Sequence, residues 1–117
     1  MTADDFDSYV RTLGYVVDLL GDGQGNQYSV VRDVTVTAGS LAGKVCVVAL
    51  QRLVAIPYQA PPAIHTRPHL VQGDKAAGLA IQASALGVDW QYWSRRLDRP
   101  PSPKTLWTHI LTVLSEA

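Results

Sequence analysis

The chain has 117 residues, 47% of them apolar, with ten basic and ten acidic side chains and a single cysteine. That length suits one domain, 1–117, with a core of its own, and the balanced charge argues against nucleic-acid and anionic-membrane partners. One cysteine excludes an intrachain disulfide and a multi-cysteine metal site, the apolar runs are too short to span a bilayer, and the start Met-Thr-Ala-Asp-Asp lacks the pattern of a secretion signal, so a cytoplasmic domain without a cofactor is expected.

Phe6, Val10, Leu13, Val17 and Leu20 recur at spacings of four and three, which predicts an amphipathic helix running to Leu20. Thr2 or Asp4 supplies its cap, and the early aspartates suit the positive end of its dipole. Gly21, Gly23 and Gly25 then stop it, and they read as a plain helix-to-strand turn. A phosphate-cradling loop would need the glycines before a helix and a Lys-Ser or Lys-Thr to close it. Tyr28 to Thr37 is a strand with Val30, Val34 and Val36 on one side. Arg32 on that same side breaks the alternation and suggests a position toward a sheet edge. Ala38 to Gly43 is a turn, and Lys44 to Leu50 is apolar on both faces, as a central strand would be.

Leu53 to Leu70 holds four of the seven prolines and two of the three histidines. Each proline removes an amide donor and extends the residue before it, so this stretch is expected to be a rigid crossing and neither a central strand nor a helix. Val71 to Lys75 is a turn. Ala76 to Leu86, rich in alanine, allows a short helix or a closely packed irregular segment, and Gly78 within it weakens the helical reading. Val88 to Arg96 carries Trp90, Tyr92 and Trp93 before two arginines. Asp98 to Pro103 is a second proline-rich turn, with Ser102 as helix cap and Pro103 at the first helical position. Leu106, Trp107, Ile110, Leu111 and Leu114 then form a final amphipathic helix. The fold class expected is α+β: an N-terminal helix, an antiparallel sheet of about four strands, the proline-rich crossing and a C-terminal helix.

The chemistry-bearing residues are few. Cys46 sits among valines, where a free thiol behaves as a small buried hydrophobe rather than an activated nucleophile. His65 and His69 lie four apart in a stretch that prolines keep from being helical, so they read as polar anchors of the crossing and not as metal ligands. His109 lies at the surface or half-buried, and Asp89 forms a local charge pair with Arg95 or Arg96. Trp90, Trp93 and Arg95 have the composition of a protein-contact hot spot. In the plainer reading the two tryptophans cover an edge of the core.

Taken together, the layout resembles the ubiquitin-conjugating enzyme superfamily. Ile56-Pro57-Tyr58-Gln59-Ala60-Pro61-Pro62 is similar to that family's Tyr-Pro…Pro-Pro segment, with Tyr and Pro in reversed order. Trp90-Gln91-Tyr92-Trp93-Ser94-Arg95, the following proline-rich turn and the Leu-rich last helix are similar to a divergent bacterial branch, whose members are associated with ubiquitin-like modifiers, activating enzymes and metal-dependent isopeptidases. The family's His-Pro-Asn and later Gly-x-Cys are matched here by Arg67-Pro68-His69 and Gly78-Leu79-Ala80-Ile81. The resemblance thus puts His69 where an asparagine assists the developing oxyanion, and Ala80 where the nucleophile belongs. A methyl group forms no thioester. Three explanations stay open: a natural silent variant that binds a modifier or partner enzyme, use of Cys46 as a displaced nucleophile, or an engineered Ala80.

The resemblance implies a ubiquitin-like modifier and its activating enzyme as partners. The first helix (Phe6, Val10) would then be a docking surface, with Tyr58, Trp90, Trp93 and Arg95 as further contacts. The competing expectation is a small binding or immunity-type module with no transfer chemistry.

Overall fold

The computed structural model describes residues 1–53, 60–97 and 102–117. Helix α1 spans Ala3–Thr12 and opens on a reciprocal cap. The Asp5 amide donates to Thr2 Oγ1 at 3.2 Å, and the Thr2 amide donates to Asp5 Oδ2 at 2.7 Å, so two otherwise unpaired donors are satisfied. It stops well short of Leu20. Gly14 takes φ +98°, a conformation that costs glycine little, and its amide returns to the Arg11 carbonyl. Val17 and Leu20 belong instead to strand β1 (Val17–Gly21), so their helical spacing from Leu13 is coincidental.

The glycine-rich turn is accordingly a hairpin and not a helix-to-strand link. Asp22 holds it, accepting from the Gln24 amide at 2.8 Å and from Asn26 Nδ2 at 2.8 Å. These donors stabilise the charged carboxylate, and the Asn26 bond leads in holding its pKa below the usual value. Strand β2 (Gln27–Thr35) pairs with β1 on one side and with β3 (Val45–Gln51) on the other, so it is interior and not an edge. The broken alternation around Arg32 comes from a bulge between Val31 and Val34, with Asp33 at φ +56°. β3 is central, as its two apolar faces imply.

The main correction concerns the proline-rich stretch. Ala63–Arg67 is strand β4, fourth in a six-stranded antiparallel sheet ordered β1-β2-β3-β4-β6-β5, with β5 at Ile81–Ser84 and β6 at Gly87–Ser94. Prolines frame β4 without entering it: Pro61 and Pro62 precede it, and Pro68 follows, joined to Arg67 by a cis peptide bond. Ala63-Ile64-His65-Thr66-Arg67 therefore keeps all its amide donors and pairs on both sides. Between β4 and β5 lies the short helix α2 (Gly73–Gly78), which settles the ambiguous Ala-rich segment as helix, then strand. The last helix, α3 (Pro103–Ser115), starts as its sequence implies, with Ser102 Oγ accepting from the Thr105 amide and Pro103 in the first turn.

Both long helices cover one face of the sheet. The core there includes Phe6, Val10, Val34, Cys46, Val48, Ile64, Trp93, Leu106, Ile110 and Leu114, all almost fully enclosed. Burying a single side chain such as Ile110 contributes roughly 1.5–3 kcal/mol. Trp107 links the helices, lying 6.4 Å from the Phe6 ring and 5.1 Å from Tyr15. A buried ion pair ties α1 to the sheet: Arg52, just past β3, reaches Asp7 and Asp4 and donates to Ser29 Oγ at 2.9 Å. Burial alone would lower the Arg52 pKa; the two carboxylates reverse that and raise it. The turn after β2 closes against the end of α3, where Ser40 Oγ donates to the Ala117 carbonyl at 2.5 Å.

Candidate functional site

Cys46 is 2% exposed on the helix-covered face of β3, and burial pushes its thiol up to about 11. It is neither accessible nor ionised near neutrality, so it lacks both requirements of a thiol nucleophile.

His69 and Ala80, aligned above with an assisting group and a nucleophile, are held at opposite ends of β6. The His69 Nε2 atom sits 2.8 Å from the Val88 carbonyl at the start of β6. The Ser94 amide, at the end of β6, donates to the Ala80 carbonyl at 3.3 Å. Six residues of strand separate those anchors, about 20 Å at ~3.3 Å per residue. The two positions therefore share no reaction site in this fold. Ala80 is exposed, with φ +56°, at the junction of α2 and β5.

The expected contact residues divide in the same way. Phe6, Val10, Trp90 and Trp93 are buried, because α1 turns its apolar stripe inward and β6 lies inside the sheet. Trp93 is sealed between the sheet and the helices, its indole Nε1 donating to Thr66 Oγ1 at 2.9 Å. Arg95 is half-buried and donates from Nη2 to the Leu79 carbonyl at 2.6 Å, bracing the segment before Ala80. Asp89 takes part in none of the ion pairs among the described residues. Tyr58 lies outside those residues, as does most of the second proline-rich turn.

The face of the sheet away from the helices carries the remaining functional geometry. A smaller apolar cluster, Tyr28, Val30, Ala49 and Trp90, lies there. Beside it His65 stands between two tyrosines, edge-on to Tyr28 at 5.2 Å and to Tyr92 at 5.3 Å. Its Nδ1 shares a 2.7 Å hydrogen bond with Ser84 Oγ, which also accepts from the Leu86 amide. Burial lowers the His65 pKa to about 4, so the ring is neutral and a weak base. A serine beside such a histidine is not activated, and among the described residues no carboxylate is hydrogen-bonded to the ring to correct this. The pair is a polar layer within an aromatic row, in keeping with the anchoring role expected for both histidines.

Further along this face the Arg67 guanidinium lies over the Trp90 ring, 5.0 Å from its centroid. It borders a groove of about 230 Å³ lined in part by Asp18, Leu20, Val30, Arg32 and Trp90. Arg32 is paired with Asp18 at 2.5 Å, whereas Arg67 has no carboxylate partner among the described residues. Leu20, Val45 and Val88 add exposed apolar surface, Val88 being 91% exposed. A stacked guanidinium above an apolar floor can take up a carboxylate and the apolar groups beside it.

Buried Gln91 positions this region and was not visible in advance. Its Oε1 accepts from the Leu70 and Val71 amides at 2.8 and 3.3 Å, and its Nε2 donates to the Val71 carbonyl at 2.6 Å. One side chain thus fixes the chain leaving β4 against β6. No local pattern marks a glutamine between two aromatic residues for that role. A search of family models, of curated proteins and of solved structures finds no match to this chain.

Proposed function

We propose that this chain is a binding protein of the ubiquitin-conjugating-like type that carries out no thioester chemistry, and that a ubiquitin-like modifier docks on its open sheet face. The placement of sulfur carries this reading. The sole thiol is enclosed beneath two helices with its pKa raised to about 11, and the exposed position 80 carries a methyl group. The separation of His69 from Ala80 along β6 supports the same conclusion, since an oxyanion donor acts only within hydrogen-bond reach of the reacting carbonyl. The link to a modifier rests on the sequence resemblance. The Arg67–Trp90 groove with its exposed apolar border supports a protein contact in general, and so equally favours a second reading, a binding module outside any modifier system.

The test is to mix the protein with ATP, a ubiquitin-like modifier encoded next to it and the matching activating enzyme. No reductant-sensitive adduct is expected, and Cys46→Ala is expected to behave as the wild type does. Binding of the modifier should shift the amide resonances of Leu20, Val30, Arg32, Arg67 and Trp90 and weaken in Arg67→Ala. An adduct lost in Cys46→Ala would overturn the silent reading. Neither adduct nor binding would overturn the modifier reading in favour of the second one.

A further inference from the structure

The two edges of the sheet are built differently. β5 is four residues long, has a register shift between Ala83 and Ser84, exposes Gln82, and has α2 beside it. A short, irregular, polar edge resists further pairing. β1 carries no lysine, proline or bulge. Four of the six exposed large apolar side chains among the described residues lie on or just before it: Leu13 (48% exposed), Val16 (58%), Leu19 (57%) and Leu20 (37%).

The backbone of β1 says what such a surface takes. In an antiparallel ladder alternate residues direct their N–H and C=O groups to the neighbouring strand, and the others point away. The Arg32 amide donates to the Val16 carbonyl at 3.1 Å, and the Asp22 amide donates to the Asn26 carbonyl at 3.2 Å. Val16, Asp18, Leu20 and Asp22 therefore exchange with β2, while Val17, Leu19 and Gly21 point outward. Arg11 Nη2 reaches the outward Val17 carbonyl at 2.9 Å. The outward groups of Leu19 and Gly21 have no partner among the described residues. Unpaired amides and carbonyls flanked by exposed leucines fit one kind of occupant, an extended strand.

We propose that β1 pairs antiparallel with β1 of a second copy of this chain, about a two-fold axis through Leu19. An axis normal to the sheet keeps both pairs of helices on one side and sets Leu19 opposite itself, Val17 opposite Gly21, and Asp18 opposite Leu20. Every residue whose backbone points outward then meets another such residue: the central Leu19 pair closes as it stands, and the two Val17–Gly21 pairs close when Arg11 releases or shares the Val17 carbonyl. A two-fold contact must be complementary to itself, and this edge is. Leu19, the most exposed side chain of the strand, meets its own copy, Asp18 is neutralised by Arg32 of its own chain, and the chain has no net charge to drive copies apart. A five-residue pairing is small beside the roughly 1,200 Å² of a stable interface, so the dimer is concentration-dependent.

Cross-linking reads the register. In a hydrogen-bonded antiparallel pair the Cα atoms lie about 5.5 Å apart, within disulfide range, and native Cys46 is too buried to compete. Leu19→Cys is expected to give a covalent dimer on mild oxidation. Leu20→Cys, which would face Asp18 of the partner subunit, is expected to give little. Sedimentation of the unmodified chain should show mass rising with concentration. Leu19→Pro, which removes only an outward amide, and Leu19→Lys should both abolish that rise without changing the circular dichroism. A monomer at every concentration, equal cross-linking at 19 and 20, or a dimer that survives Leu19→Lys would overturn the proposal.

Discussion

Acidification is expected to weaken this fold through one imidazole. His65 is 4% exposed, and burial lowers its pKa from 6.5 to about 4. The unfolded chain therefore takes up a proton at a pH where the native chain does not. Stability contributed by the neutral ring is fully present above about pH 6.5 and is lost as pH falls toward about 4, where the native state protonates too and the loss levels off. For these two values the linkage integral gives a loss of about 2 kcal/mol at about pH 5 and about 3 kcal/mol at about pH 4. With a urea dependence of about 1–2 kcal/mol/M for a domain of this size, the midpoint at about pH 5 should fall by roughly 1–2 M. The assay is urea unfolding across this range for the wild type and His65→Gln, whose amide can still meet Ser84 and does not titrate. Contributions shared by both proteins cancel in the difference. Equal pH dependence in the two proteins, or a ring resonance titrating near 6.5, would refute the reasoning.

Three other perturbations probe the packing. Thr66→Val strips the buried Trp93 indole of its acceptor and is expected to cost about 1–3 kcal/mol in urea unfolding, with Thr66→Ser recovering most of it. Arg52→Ala leaves the buried Asp7 carboxylate without its counter-ion. It should cost roughly 3–5 kcal/mol, and hydrogen exchange should locate the loosening in α1. Gly39→Ala combines φ +81° with a Cβ driven onto the Ser115 backbone carbonyl, whereas Gly43→Ala has a similar φ and open space. Thermal melts should show about 1–2 kcal/mol lost at Gly43 and clearly more at Gly39, the excess being the clash with α3.

What could be read in advance was what local chemistry decides. Thr2 and Ser102 mark helix starts because a hydroxyl beside unpaired amides acts within one turn. Lys44 to Leu50 announces a central strand because both faces must be apolar, and the same argument places Cys46 in the core. The errors arose where distant contacts decide. Val17 and Leu20 fit a helical stripe, yet Gly14 ends the helix and pairing with β2 claims them. The proline content of Leu53 to Leu70 as a whole argues against a strand, yet only the exact positions matter, and the five proline-free residues Ala63–Arg67 suffice for one. The bulge at Asp33 imitates the irregularity of an edge. For the site, the alignment of His69 and Ala80 with a reaction centre treats neighbours along a motif as neighbours in space, and β6 holds them apart. Gln91 and the stacking of Arg67 on Trp90 depend on which strands adjoin, a property of topology that no local window contains.

The strand order carries one more consequence. β4 is fed from one side by β3, its neighbour in the meander, but on the other side it relies on β6, which the chain forms only after passing through α2 and β5. Whenever the β5–β6 hairpin is detached, as in a growing or partly opened chain, β4 becomes a bare sticky margin bearing Ile64 and Thr66. Pro61, Pro62 and Pro68 then bracket that margin and limit any stray strand to about five residues of pairing. The prolines that made this stretch look unfit for a sheet are guards at its two ends, protecting the one strand whose final partner arrives late.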